Sequence, residues 1–477
     1  MAPALQRHAG RWGLLAAVLG LGLACAAFAA VEPVNGSADE PAHVDYAYQL
    51  WHGDFPVFED GLVVVPEGQP SPPVQFVAQH PPLFYLLLAP VVGPLVDAGH
   101  PQAAVSAARG VSLSIAVLGL LALAWAAAQL SDRRPWTWAV TSAAVAAPIV
   151  PFMRVGGSVY NDNLAVLFAV VALGLTVRIL RKGWSPRLLF AVGLACGLGA
   201  LSRATFVITL VAVTAGLCLA GWRHAQGGSG RRLGVTAGLA VLPIGSALAV
   251  AGWFYRRNIE LTGTWTGARS DYAQDNLGRT AQPITDVLTS STYWQIPLDL
   301  LRQSPEHLPV LGRVLLLLLL LLALVGWALR RGFRVELGVV ALLALQAIGT
   351  LALTAGYIGT GGGTAGRYLL PALFPLAAVL AAGVLAVGER VGAAVLLGYG
   401  VAAWLPFALW ILAQPAGDPG QTSNGVPLLA VWVALVGLGV AVIAQVVAVA
   451  GLHGGPAEPT DPARRPRSLA TAGRSTA

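Results

Sequence analysis

The chain has 477 residues, is 56% hydrophobic and 11% charged, and has a mean hydropathy of +0.69. A soluble domain carries about 25% charged residues, so this composition excludes a soluble globular protein and points to an all-α polytopic membrane protein. The net charge of +7 is no sign of a nucleic-acid partner, because the arginines sit in short clusters between apolar runs, as the positive-inside rule requires.

Arg7 and Arg11 precede an apolar run to Ala30 that resembles a signal peptide. Its length of about 20 residues is what a bilayer needs, and predicts an uncleaved first helix. Further runs at 106–130, 136–153, 160–178, 187–201, 204–221, 233–255, 309–329, 335–357, 367–388, 391–413 and 427–450 bring the expected spans to about 12. A shorter run, 83–98, is broken by Pro90, Gly93 and Pro94. If it does not cross and the N-terminus is cytoplasmic, the short basic loops face the cytoplasm. Among them are Arg133, Arg134, Arg178, Arg181, Lys182, Arg223, Arg231, Arg232 and Arg390. If it does cross, nearly all of them face the wrong side. The expectation is a plasma (inner) membrane protein with 83–98 along or dipping into the outer surface.

The transmembrane domain is expected to cover 1–453, with external loops at 32–105 and 256–308 and a disordered cytoplasmic tail at 454–477. The Pro/Gly-rich stretch 66–73 reads as an irregular excursion. Ala42, Tyr46 and Leu50 recur at helical spacing, so a short interfacial helix is expected over Asp39–Trp51, capped by Ser37 or Asp39. Cys25, Cys196 and Cys218 lie in apolar runs without metal-site spacing and read as apolar fillers.

Most acidic residues fall on the outer side of this layout. Asp39-Glu40, with His43 one turn on, is the sharpest feature, since a transferase benefits from a carboxylate that takes the acceptor's proton. A solvated helix-starting pair is the plainer alternative. His80 follows in Gln79-His80-Pro81-Pro82-Leu83-Phe84-Tyr85, where two prolines fix the backbone. Asp162, in Tyr160-Asn161-Asp162-Asn163, opens a span from outside, facing a polar cavity or serving the helix N-terminus. Arg203, Arg256, Arg257 and Arg367 lie at outer span ends, against the positive-inside trend. A phosphate at the outer leaflet would explain them, as would carboxylate pairing or snorkelling. Arg367 and Tyr368 belong to Gly366-Arg367-Tyr368-Leu369-Leu370-Pro371, after a glycine-rich run at 359–363 that lacks the P-loop pattern and reads as a lid or tight turn.

These motifs, in this order, resemble the GT-C superfamily of integral-membrane glycosyltransferases, in particular bacterial relatives of protein O-mannosyltransferases and of the lipid A aminoarabinose transferase. They are also similar to an uncharacterised bacterial membrane family with DE-x-x-H and GRYLLP motifs. The resemblance covers about residues 10–390. It implies a GT-C-like bundle with extracytoplasmic interfacial helices in the first loop, and a polyprenyl-phosphate-sugar donor. It also implies transfer outside the cytoplasm to a glycan, lipid or protein acceptor. Asp39 is the implied base, Glu40 its neighbour and Asp162 a second catalytic acid residue; His43, His80, Arg203, Arg256, Arg257, Arg367 and Tyr368 are expected around the substrate. Some members need a divalent cation and others do not. The competing class, a transporter or lipid flippase, would place ionisable groups near the bilayer midplane, whereas here they gather at outer ends.

Overall fold

The computed structural model describes residues 3–34, 36–37, 39–64, 73–301, 309–328, 335–414 and 417–453. The tail 454–477, most of the excursion at 66–73 and the end of the second loop lie outside the described residues. Among the described residues the regular structure is helical, apart from one isolated bridge between Gln421 and Pro427. In order the helices are α1 (Pro3–Val31), α2 (Glu40–Trp51), α3 (Leu83–Asp97), α4 (Pro101–Ala128), α5 (Pro135–Ala146) and α6 (Val150–Gly157). Then come α7 (Asp162–Lys182), α8 (Pro186–Ala200), α9 (Val207–His224), α10 (Ser229–Thr262), α11 (Ser270–Leu277), α12 (Ile284–Thr289) and α13 (Ser291–Leu298). The last are α14 (Pro309–Ala328), α15 (Leu337–Gly359), α16 (Leu373–Ala386), α17 (Glu389–Leu412) and α18 (Leu428–His453).

Among the described residues 10 helices are long and apolar enough to cross a membrane. Two of the expected spans take another form. The 136–153 run is two helices, α5 and α6, bent by 75°, because Pro148 and Pro151 each remove an N–H from the turn that would join them. The 187–201 run is α8, of 15 residues. α3 also has 15 residues, about 22 Å at 1.5 Å per residue, and it packs between α2 and α4.

α18 lies along α1, α4 along α7, and α10 against α8 and α9. Val433, Val436, Val440, Ile443 and Val447 form one exposed row on α18, the helical spacing of a face turned to lipid. A separate core joins the first loop to the bundle. It comprises Tyr46 of α2, Phe84, Tyr85 and Leu88 of α3, Val105 and Ala108 of α4, and Leu164 of α7. Tyr46 and Tyr85 stack at 3.8 Å. Trp51 fills the space over Gly93, where any Cβ would collide with its ring.

α7 has charged clusters at both ends. At its C-terminal end Lys182 and Arg181 pair with Asp132 at 2.8 Å, and Glu336 meets Arg181 and Arg223. Asp162 opens its other end, where the connections 32–39, 158–161, 201–206 and 360–366 also converge.

Candidate active site

The site is organised by the way α1 ends. The last carbonyls of a helix have no partner within it, and here a guanidinium supplies one. Arg109 of α4 is 3% exposed; its Nη1 donates to Ala29 O (3.0 Å) and Glu32 O (2.9 Å), and its Nη2 to Pro33 O (2.9 Å). Nε and Nη2 also hold Glu40 Oε1 and Oε2 at 2.9 and 2.6 Å. All five donors of the guanidinium are thereby used, and residues 29–40 are tied into a closed loop. The Val159 N–H donates to Glu40 Oε1 as well (3.1 Å). Glu40 is wholly buried.

Asp39, one residue earlier, occupies the N-cap position of α2 but makes no capping bond. Ser37, the other expected cap, lies 3.0 Å from Ser158 instead. The Asp39 carboxylate turns to Arg367 and accepts from its Nη2 at 2.5 Å. Its side chain stays 31% exposed, and Oδ1 has no hydrogen-bond donor among the described residues. So adjacent acids have opposite surroundings: Glu40 is closed in, and Asp39 keeps an open oxygen.

Arg367 lies in the 3-10 turn Gly366–Ala372. Pro375 has no N–H to offer the Pro371 carbonyl; buried Gln346 of α15 reaches across and donates to it at 3.0 Å. The glycine run before the turn is a tight turn, with Gly361 at φ +86°, where a side chain would be strained. Arg367 sits over the Tyr160 ring at 4.4 Å and the Tyr368 ring at 5.4 Å. Its buried Nε has no hydrogen-bond partner among the described residues. Both Asp39 and Asp162 act on it electrostatically. Asp162, 4% exposed, accepts from Arg203 Nη1 at 2.9 Å, and the same nitrogen donates to Asn161 Oδ1.

His43 and His80 complete the wall. His43 is buried, with Nδ1 2.9 Å from the Tyr85 hydroxyl and its ring stacked on His80 at 6.1 Å. Burial, reinforced by Arg367 and Arg203, holds His43 well below the ordinary histidine range. Burial, then Arg203, does the same to His80. Both rings are therefore neutral at pH 7. Burial pushes the Tyr160 phenol up to about 12. Asp45, two residues after His43, pins the loop: it accepts from the Val63 and Val64 N–H groups at 2.7 Å, from Gln49 at 2.8 Å and from Gln75 at 2.6 Å.

Thus Asp39, His43, His80, Asp162, Arg203, Arg367 and Tyr368, drawn from segments far apart in the sequence, meet at one end of the bundle. Arg256 does not join them: it is largely exposed and pairs with Glu260 one turn away, at 2.7 Å. Arg257 faces the first loop, donating to Pro56 O at 2.8 Å and lying over Phe55 and Phe254. Sequence reasoning missed Arg109 and Tyr160's part beneath Arg367. The available signal for Arg109 was an arginine inside an otherwise apolar run. No group of three or more His, Cys, Asp or Glu among the described residues suits a metal ion. Asp39 and Asp162 already face guanidinium groups, so this donor set does not fit the divalent cation that the resemblance allowed.

No protein-family model and no curated protein sequence matches the chain. Solved structures do. ArnT from Cupriavidus metallidurans in the apo state aligns with a TM-score of 0.50 at 14% identity, over 93% of this chain and 76% of that one. The same protein bound to undecaprenyl phosphate gives 0.49 at 13% identity, over 95% and 77%. The archaeal oligosaccharyltransferase AglB from Archaeoglobus fulgidus, in complex with an inhibitory peptide and a dolichol-phosphate, gives 0.44 at 14%; this chain spans 56% of its length. The fold is therefore a helical membrane bundle like that of apo ArnT.

Proposed function

We propose that this protein is a membrane glycosyltransferase that moves a sugar from a polyprenyl-phosphate donor to a cell-envelope acceptor on the extracytoplasmic face. The observation that carries the reading is the joining of Asp39 to Arg367, 328 positions apart in sequence, beside the Asp162–Arg203 pair, on a bundle with the ArnT fold. In this reading the protein lies in the plasma membrane with its N-terminus in the cytoplasm. Asp39 and its surroundings then face outward, and the Asp132–Lys182 cluster faces the cytoplasm.

The transfer is inverting. The acceptor's hydroxyl or amine attacks the anomeric carbon as the bond from that carbon to the phosphate oxygen breaks. Oδ1 of Asp39 takes the acceptor's proton, and the polyprenyl phosphate leaves as an anion. Arg367 holds the Asp39 carboxylate through Oδ2 and brings positive charge to the departing phosphate. Arg203 adds positive charge on the same side, while Asp162 prevents it from swinging away. His43 and His80, neutral and stacked, line the sugar side without adding charge. Glu40 and Arg109 hold the base in place, with no proton passing through them.

The test is transfer from labelled undecaprenyl-phosphate sugars to envelope fractions, using the full chain in nanodiscs. Asp39→Asn should abolish transfer and leave expression intact. Normal transfer by that variant would remove Asp39 from the mechanism. Movement of labelled solute or lipid across vesicles, with no sugar transferred by the wild type, would replace the enzyme reading with a transporter.

A further inference from the structure

Arg109 is one of the groups that close the end of α1. Two more, Ser423 and Asn424, come from the connection between α17 and α18. Within it residues 420–428 form a tight turn bonded to itself: Thr422 N–H donates to Val426 O at 2.8 Å, Leu428 N–H to Gly420 O at 2.9 Å, and Gln421 and Pro427 form an antiparallel bridge. Gly420 and Gly425 both have positive φ. This rigid turn presents Asn424 to α1. Its Nδ2 donates to Glu32 O at 2.6 Å, Ala29 O at 3.1 Å and Ala30 O at 3.3 Å. Its Oδ1 accepts from the Val34 N–H at 3.2 Å. Ser423, next to it, donates to Val31 O at 3.2 Å.

We propose that Asn424 is a positioning residue for Asp39, so that the last connection of the chain belongs to the working site. The proposal rests on the functional reading above. The physical reason is that Asp39 lies between two anchors. Glu40, on its C-terminal side, is fixed by Arg109 and the Val159 N–H. Residues 29–34, on its N-terminal side, are fixed by Arg109 and the 423–424 pair. An amide suits this place because it donates and accepts at once. Aspartate there would set a carboxylate against three carbonyl oxygens. Leucine would remove the Asn424 donor from Ala30 O and the acceptor from the Val34 N–H, and leave Ala29 O and Glu32 O to Arg109 alone.

The experiment uses the full chain in nanodiscs, with Asn424→Leu, the milder Ser423→Ala, and Asp39→Asn as reference. Hydrogen exchange is followed on peptides covering 29–40 and 360–372. In Asn424→Leu, exchange over 29–40, Val34 included, should rise about tenfold or more while 360–372 stays unchanged. In transfer, kcat should fall about tenfold, with KM for the undecaprenyl-phosphate sugar held within about twofold. Ser423→Ala should move both in the same direction by less. Unchanged exchange and kcat in Asn424→Leu would overturn the proposal. So would a rise in exchange across the whole chain with a lower melting temperature, which marks a general tie between helices. Full transfer by Asp39→Asn removes Asp39 as the base, and no transfer by the wild type defeats the functional reading instead; in either case the exchange at 29–40 still reports on Asn424 by itself.

Discussion

Arg109→Leu isolates the contact on which the site's geometry depends. Arg109 and Glu40 are 3% and 0% exposed, with two short hydrogen bonds between them. Removing one partner of such a pair leaves the other as an uncompensated buried charge, a loss of about 3–5 kcal/mol. The carbonyls of Ala29, Glu32 and Pro33 lose a donor in the same substitution, so the upper part of that range applies. Glu40→Leu should cost a similar amount, because it strands the guanidinium. The double variant should recover part of the loss, since replacing a whole buried pair with apolar groups is often close to neutral. It should not recover transfer, because the guanidinium that ties residues 29–33 to position 40 is gone. The assay is a thermal or denaturant melt of the four proteins in one detergent, with transfer measured beside it. If the two single effects simply add in the double variant, the pair is not coupled and the reasoning fails.

Other outcomes follow from the same contacts. Arg203→Leu strands the 4% exposed Asp162 and should reduce both stability and donor binding, whereas Arg256→Ala should leave both near wild type; equal effects in a paired melt and binding assay would count against the site drawn here. His43 and His80 bind protons more weakly folded than unfolded. Their contribution is therefore fully present above about pH 6.5 and is lost as pH falls from there toward the lowered folded values, because only the unfolded chain gains the protons. His80→Gln should flatten part of that acid loss in a melting-temperature series from pH 7.5 to 5. Gln346→Met keeps the volume but removes the donor to Pro371 O. It should weaken undecaprenyl phosphate binding about tenfold, the effect of one lost positioning contact of about 1.4 kcal/mol, and unchanged binding would show that the 366–372 turn stands without it.

Hydropathy and residue order made the membrane class, the order of the apolar runs and the gathering of polar groups at span ends legible, because each is a local property of composition. The DE-x-x-H and GRYLLP motifs pointed to Asp39 and Arg367 for the same reason. The form of two spans was harder to read. Pro148 and Pro151 turn one apolar run through 75°, and hydropathy does not register a lost N–H. The two carboxylates of Asp39-Glu40 look alike in sequence. Only the folded chain separates them, because Arg109, 69 positions beyond Glu40, claims one, and Arg367, 328 positions beyond Asp39, takes one oxygen of the other. Likewise Arg203 and Arg256 are both arginines at span ends, yet one turns inward to Asp162 and the other outward to Glu260. Sequence by itself determined what kind of environment the chain must occupy, since burial of apolar surface depends on residue type. Tertiary structure decided which charge meets which, since an ion pair depends on distance and direction set by helices far apart along the chain.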